Sequence, residues 1–312
     1  SSDLVYNDAP CLPKPVLMMW ASRGCPFGCT FCCWPQIIYN SRKYRTRDPV
    51  KVIDEMVSVT RDFPFRSVYF DDDTFNIGDA RMNAFSDELL RRHWTLPWGI
   101  MARTDTIKPG TLQRMRDAGL AMVKYGVESS SQALVNAANK NLDIRQAEKM
   151  IAFTKSLGIF VHLTFTFGLP GETWETIRDT IRFARDSGAD SVQFSINTPY
   201  PGTAYFAAAQ EKGLISFSSW DDFAANKAVV CTENLTCHDL QKALAMAEAV
   251  WQSRNIRFRS IFLKDKRRQV LRALLHPRET IARWRFAKGV QGNLQSFAEQ
   301  GQGHGHGDSS FK

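Results

Sequence analysis

The 312-residue chain is 44% hydrophobic and 23% charged, with 19 Gly and 13 Pro, a balance that lets a globular protein bury a sizeable core and excludes disordered, collagen-like and disulfide-stapled classes. The charge of +8 is unevenly placed: Arg254 to Lys288 holds 12 Lys/Arg and 2 Asp/Glu, a net of +10, so everything else together is −2. The longest apolar runs, near Val16 to Ala21 and Ile159 to Phe167, fall short of the roughly 18 residues a membrane helix needs.

Residues 1–14 carry neither an initiator Met nor the basic-then-apolar layout of a signal peptide, and are expected to be a linker from a missing N-terminal domain of a cytoplasmic protein. From about Pro15 the chain alternates short β-rich runs with longer helical stretches, the pattern of successive βα units on a parallel sheet. Strands are expected at Val16–Ser22, Ser67–Asp71, Trp98–Ala102, Met122–Val127, Phe160–Phe167 and Ser191–Asn197. Asp48-Pro49 supplies an N-cap and a first-turn Pro for a helix over Val50 to Val59, and Gly119 and Gly188 stand where helices end. Trp174, Ile177, Ile181 and Ala184 recur at helical spacing, so Glu172 to Ser187 should lay one face on the sheet. This core spans 15–215. A mostly helical extension is expected over 216–300, with a helix from Leu240 to Ser253 and the basic segment 254–288. The glycine-rich tail 301–312 is expected to be disordered, and its His304 and His306 make a weak metal site.

Six βα units fit either an open doubly wound sheet or an incomplete barrel, and periodicity does not separate the two. In both, ligands collect at the carboxyl ends of the strands. The first such end is followed by Cys25-Pro-Phe-Gly-Cys29-Thr-Phe-Cys32, a C-x3-C-x2-C loop, in a chain whose seven cysteines are odd in number and clustered. Clustered thiols of this kind select zinc, copper(I) or an iron–sulfur cluster. No second pair follows at the spacing of a structural zinc site, and Cys33, adjacent to Cys32, is an awkward fourth ligand. Three thiolates on a 4Fe-4S cluster leave one iron without a protein ligand, the counterpart of the open position in catalytic metal sites.

This loop resembles the signature of radical S-adenosylmethionine (SAM) enzymes, C-x3-C-x-aromatic-C after the first strand of a partial barrel, with Phe31 in the aromatic position. The resemblance implies a partial (β/α)6 TIM-like barrel in which Cys25, Cys29 and Cys32 hold a 4Fe-4S cluster and the amino and carboxylate groups of SAM chelate the fourth iron. It implies reductive cleavage of SAM to a 5′-deoxyadenosyl radical that abstracts hydrogen from substrate, with the cofactors carrying the difficult chemistry. The adjacent carboxylates Asp71, Asp72 and Asp73 call for a cationic partner, and they fall where the family contacts the SAM amino group, though the common Gly-Gly-Glu form is missing. Glu128 ends the fourth strand where the family places an acidic SAM contact. Arg103 is a candidate for the SAM carboxylate, or else the partner of Asp105. Gly168 and Gly171, in Gly-Leu-Pro-Gly-Glu-Thr173, resemble the glycine-rich segment beside SAM.

The ordered series of Cys loop, DDDTF, GVESS, GLPGET and PYPGT is most similar to the cobalamin-associated branch, which contains carbon methylases and oxidative cyclases. Cobalamin would then sit on a domain absent from this chain. A small-molecule or lipid-like organic substrate, an electron donor such as flavodoxin or ferredoxin, and no nucleic acid are expected. Segment 254–288 offers peripheral contact with anionic lipid, or else helices with a solvated face. The rival readings are a methylthiotransferase-like radical enzyme acting on RNA or protein, and a non-enzymatic iron–sulfur electron carrier or zinc-stabilised binding protein. Cys11, Cys33, Cys231 and Cys237 are read as further ligands or buried small hydrophobes, and His93 and His162 as structural.

Overall fold

The computed structural model describes residues 9–217, 219–223 and 226–262. The chain divides into two compact units, Ser1–Ala245 and Met246–Lys312, and the first holds the whole sheet and every candidate site residue within the described range. The tail 301–312 with His304 and His306, and the basic segment beyond residue 262, lie outside the described residues.

In chain order the elements are β1 (Val16–Met19), β2 (Ser22–Arg23), a π-helical turn (Trp34–Ile38), β3 (Arg45–Thr46), α1 (Pro49–Asp62), β4 (Ser67–Phe70), α2 (Asp79–Arg91), β5 (Trp98–Ala102), α3 (Pro109–Asp117), β6 (Leu120–Glu128), α4 (Gln132–Ala137), α5 (Ile144–Ser156), β7 (Phe160–Phe167), α6 (Trp174–Asp186), β8 (Ser191–Ile196), α7 (Ala204–Glu211), a short 3-10 turn (Trp220–Asp222) and α8 (Cys237–Phe262). Six strands form one sheet in the order β1-β4-β5-β6-β7-β8, every pairing parallel. Each strand lies beside its successor with no reversal of order. A doubly wound sheet has such a reversal, so the order selects the partial barrel.

The expected strands are present; Trp98–Ala102 and Phe160–Phe167 have the expected bounds, and the other four have shifted ends. Val16–Ser22 stops at Met19, because Ser22 and Arg23 turn away to pair antiparallel with Thr46 and Arg45. β6 runs longer than expected at both ends. Asp48 caps α1, its carboxylate accepting from the Lys51 N–H at 3.1 Å. α6 begins at a Thr173 capping box and buries Ile177, Thr180, Ile181 and Ala184. The run ahead of β1, read from the sequence as linker, is packed from Ala9 onward: Ala9 and Leu12 are buried against Tyr69 and Met122.

Phe70, Phe75, Phe85 and Trp98 form an aromatic knot with ring centroids 4.8 to 6.2 Å apart. Each such pair contributes roughly 0.5–1.5 kcal/mol beyond its area burial. Phe75 lies in the loop after β4, so the knot anchors the acidic loop at the sheet's carboxyl edge.

Candidate cluster and cofactor site

The cysteine loop is held from four directions by polar contacts to its own backbone. The Asp73 carboxylate accepts from the Gly24 N–H at 2.8 Å. Asp72, buried, accepts from the Ala21 N–H at 3.0 Å and from the Ser22 hydroxyl. Asn139 Nδ2 donates to the Gly28 carbonyl at 2.8 Å, and the Thr30 N–H donates to Ala138 O at 2.9 Å. Gln36, in the π-helical turn, places Nε2 2.8 to 3.0 Å from the carbonyls of Cys29, Thr30 and Cys32, while its Oε1 accepts from the Ala204 N–H at 2.8 Å. One amide thus ties the loop to the start of α7.

Cys29 is buried, Cys25 and Cys32 half-buried, and Cys25 Sγ is 3.6 Å from Thr74 Oγ1. Burial pushes the Cys29 thiol up and the Cys32 thiol up to about 12. The charges of Lys140 and Arg103 oppose the rise at Cys29, and that of Glu128 adds to it. Metal ligation requires thiolates, so cations facing the loop favour the ligating form.

Those cations belong to a second constellation at the ends of β5 and β6. Glu128 ends β6 at φ +71°, after a register shift between Gly126 and Glu128 that turns its carboxylate aside. There it accepts from Lys140 Nζ at 2.7 Å, both side chains being largely buried. Gly126 makes room for the pair: a Cβ there would lie 2.6 Å from Glu128 Oε1 and 2.9 Å from Lys140 Nζ. Arg103 forks onto Asp105 at 2.8 and 2.7 Å, donates to Lys140 O at 3.1 Å, and stacks 3.7 Å above the Phe27 ring centroid of the cysteine loop.

The structure therefore joins Cys25, Cys29, Cys32, Asp72, Asp73, Arg103 and Glu128 at one edge of the barrel. It gives several of them protein partners that the sequence did not reveal. Asp72 and Asp73 shape the entry to the cysteine loop, and Arg81, which donates to Ala21 O at 3.1 Å, is the cation near Asp72. Asp71 is half-buried, its N–H donating to Met19 O at 3.0 Å. Arg103 takes the Asp105 alternative. Phe31 packs against Leu134, Ala138 and Leu169 on one side and Tyr205, Ala209 and Val230 on the other.

Gly168 (φ +91°) and Gly171 (φ +82°) make the turn between β7 and α6, a conformation open to glycine at little cost. The Gly168 N–H donates to Glu172, and the Gly168 carbonyl accepts from the Tyr205 hydroxyl at 2.5 Å. Glu172 is fully buried, and burial raises its carboxyl to about 8.

Sequence reasoning missed Lys140, Gln36, Asn139, Tyr205 and the burial of Glu172. The signal for Asn139 and Lys140 was the Asn-Lys-Asn turn after α4, where Asn139 and Asn141 both have positive φ.

Two observations test the fit of a cluster with SAM. Thr104 Oγ1, Glu172 Oε1, Asn197 Nδ2 and Thr198 Oγ1 are buried without a protein partner, and all stand just beyond the carboxyl ends of β5, β7 and β8. Such atoms call for a polar ligand or ordered water at that edge. Among the described residues, no group of three or more His, Cys, Asp or Glu side chains is set to hold a single metal ion. By donor number, three thiolates leave a structural zinc site one ligand short of its usual four, whereas on a 4Fe-4S cluster they leave one iron open for another ligand.

A partial barrel with a three-thiol loop after its first strand and a polar ring on the following strand ends is a cofactor-dependent enzyme domain. The chain belongs to the radical SAM superfamily, whose sequence model matches residues 21–184. The family uses a 4Fe-4S cluster and SAM. An uncharacterised methyltransferase of Pyrococcus horikoshii is 27% identical over 233 residues, 75% of this chain and 50% of that protein. The anaerobic magnesium-protoporphyrin IX monomethyl ester cyclase of Rubrivivax gelatinosus is 33% identical over 193 residues, 61% of this chain and 34% of the cyclase. The chain thus spans half or less of these curated relatives. The fold is similar to that of TsrM, a radical SAM methyltransferase from Kitasatospora setae solved with tryptophan and a SAM analogue, with a TM-score of 0.57 at 20% identity over 65% of this chain and 40% of that one. No helix among the described residues is long and apolar enough to cross a membrane.

Proposed function

We propose that this domain binds a 4Fe-4S cluster through Cys25, Cys29 and Cys32 and SAM along the neighbouring strand ends, to start radical chemistry at carbon in a small organic substrate. The reaction class proposed is cobalamin-dependent methylation or oxidative ring closure, with cobalamin on a separate domain. The observation that carries this is the stacking of Arg103 on Phe27 of the thiol loop, with Arg103 bonded to the Lys140 carbonyl and Lys140 paired to Glu128, which puts a charged pocket edge beside that loop. The methyltransferase and cyclase relatives support the choice of carbon chemistry.

When bound, the cluster and SAM supply a reductively generated, hydrogen-abstracting radical. The protein's own groups hold, orient and exclude water. Asp71 and Glu128 would receive the ammonium and hydroxyl groups of SAM. Thr104, Asn197 and Thr198 offer buried polar atoms for its remaining edges. Gly168 and Gly171 keep the turn after β7 low, and Phe31 stiffens the cysteine loop from behind. A flavodoxin- or ferredoxin-type carrier is the proposed electron source. Contact of segment 254–288 with lipid would show as salt-sensitive co-sedimentation with anionic vesicles.

The deciding experiment is anaerobic reconstitution with iron and sulfide, reduction, and addition of SAM. Formation of 5′-deoxyadenosine is expected. A chain with its full iron complement that leaves SAM intact would refute the assignment.

A further inference from the structure

Two cysteines far from the cluster loop in sequence meet behind the glycine turn. Cys231 follows the Ile215–Val230 bridge and donates its N–H to Leu214 O at 2.9 Å; Cys237 opens α8. Their Sγ atoms are 2.8 Å apart, and both residues are half-buried, within reach of small reagents. The turn between them is tight: Thr232 Oγ1 accepts from the N–H groups of Asn234 and Leu235 at 3.3 and 3.0 Å, and the Thr232 N–H donates to Leu235 O at 2.9 Å. Reaching the bonded S–S separation of about 2.05 Å requires the sulfurs to close by less than an ångström.

The turn grips the candidate SAM segment. Asn234 Nδ2 donates to Gly171 O at 3.4 Å and Glu172 O at 3.2 Å, while Glu233 accepts from the Gly171 N–H at 3.4 Å and from Lys212 Nζ at 2.6 Å. Gly171 therefore has its N–H and its carbonyl both engaged by the turn that the two sulfurs bracket. Among the described residues no third donor joins them to hold a metal ion, so the pair's available chemistry is with each other.

We propose that Cys231 and Cys237 form a reversible dithiol–disulfide pair, a covalent clasp on the turn that holds Gly171 and Glu172. The oxidant is a small disulfide. Cys231 attacks one of its sulfurs, giving a mixed disulfide and expelling one small thiol. Cys237 then attacks the Cys231 sulfur, expelling the second thiol and closing the Cys231–Cys237 bond. Two protein thiols are oxidised, one small disulfide is reduced to two thiols, and the two thiol protons leave with them. Disulfides of this type inside cells are commonly redox-sensing.

The test uses the full chain, free of oxygen, equilibrated in buffers of graded reduced-to-oxidised glutathione ratio, quenched with an alkylating agent and digested with trypsin. Cleavage after Lys227 and Lys242 releases peptide 228–242, which contains Cys231, Cys237 and no other cysteine. The expected result is conversion of this peptide from a doubly alkylated form to one with neither sulfur alkylated and about 2 Da lighter than the dithiol, with singly blocked species a minor fraction. C231S and C237S should each leave the remaining cysteine as a mixed disulfide. Amide exchange over residues 168–173 should slow severalfold in the disulfide form. Three results would overturn the proposal: a mixed disulfide as the main oxidised product of the unmutated chain, a peptide that stays doubly alkylated in buffers that modify exposed Cys11, or exchange over 168–173 indifferent to the pair's state.

Discussion

Lys140 donates to Glu128 at 2.7 Å while its own carbonyl accepts from Arg103 at 3.1 Å, so a single residue joins the carboxyl ends of β5 and β6 through both its ends. Lys140 retains only 6% of its surface. Breaking a buried pair by removing one partner typically costs about 3–5 kcal/mol, because the other charge is left uncompensated. Lys140→Met should therefore destabilise the chain by about that amount in urea unfolding, and Glu128→Gln in the Lys140→Met background should restore part of it. Equal stability of the single and double variants would mean that the two charges are not coupled.

Gln36 makes a different kind of claim, because its partners are backbone atoms. Three carbonyls share one side-chain amide, and truncation would leave them poorly paired in a half-buried loop. Unmet buried acceptors cost roughly 1–3 kcal/mol. Gln36→Ala should bind the cluster but release iron to a chelator severalfold faster than the unmutated chain, with a shifted reduction potential. An unchanged release rate and potential would show that the loop holds its shape without the amide.

The strands were legible because buried parallel strands read as short apolar runs, and Trp98–Ala102 and Phe160–Phe167 end where expected. The order of the sheet was not, since periodicity marks elements and not their neighbours. The cysteine trio was visible as spacing. The supports were hidden for physical reasons: Lys140 meets Glu128 only because α4 and a left-handed turn fold it back, and Gln36 recognises backbone, which leaves no complementary side chain to find. The three aspartates drew attention by their charge, yet Asp72 and Asp73 answer to N–H and O–H groups of the loop opposite. Residue type announced a need for partners without saying which kind.

Cys29→Ala separates ligation from folding. A free cysteine packs as a small hydrophobe, so the metal-free variant should keep its circular dichroism and lose little stability. Its iron content after reconstitution should fall well below about four per chain, and 5′-deoxyadenosine formation should fall with it. Cys33→Ala, altering the adjacent thiol, should retain both. A Cys29→Ala chain that keeps a full cluster, or a Cys33→Ala chain that loses it, would reassign the ligands.

Glu172 gives a pH dependence of definite sign. Burial raises its carboxyl from the ordinary 4.5 to about 8, so between those limits the folded chain holds a proton that the unfolded chain has released. Stability from this group is complete below about pH 4.5, declines as pH rises, and levels off above about pH 8. At about 1.4 kcal/mol per unit, the total reaches on the order of 5 kcal/mol. Glu172→Gln keeps the shape and a carbonyl to accept from the Gly168 N–H, but removes the titration. The variant should match the unmutated chain within about 1 kcal/mol at pH 5 and exceed it by several kcal/mol at pH 9 in paired urea titrations. A stability difference identical at the two pH values would mean that Glu172 ionises freely in the folded state.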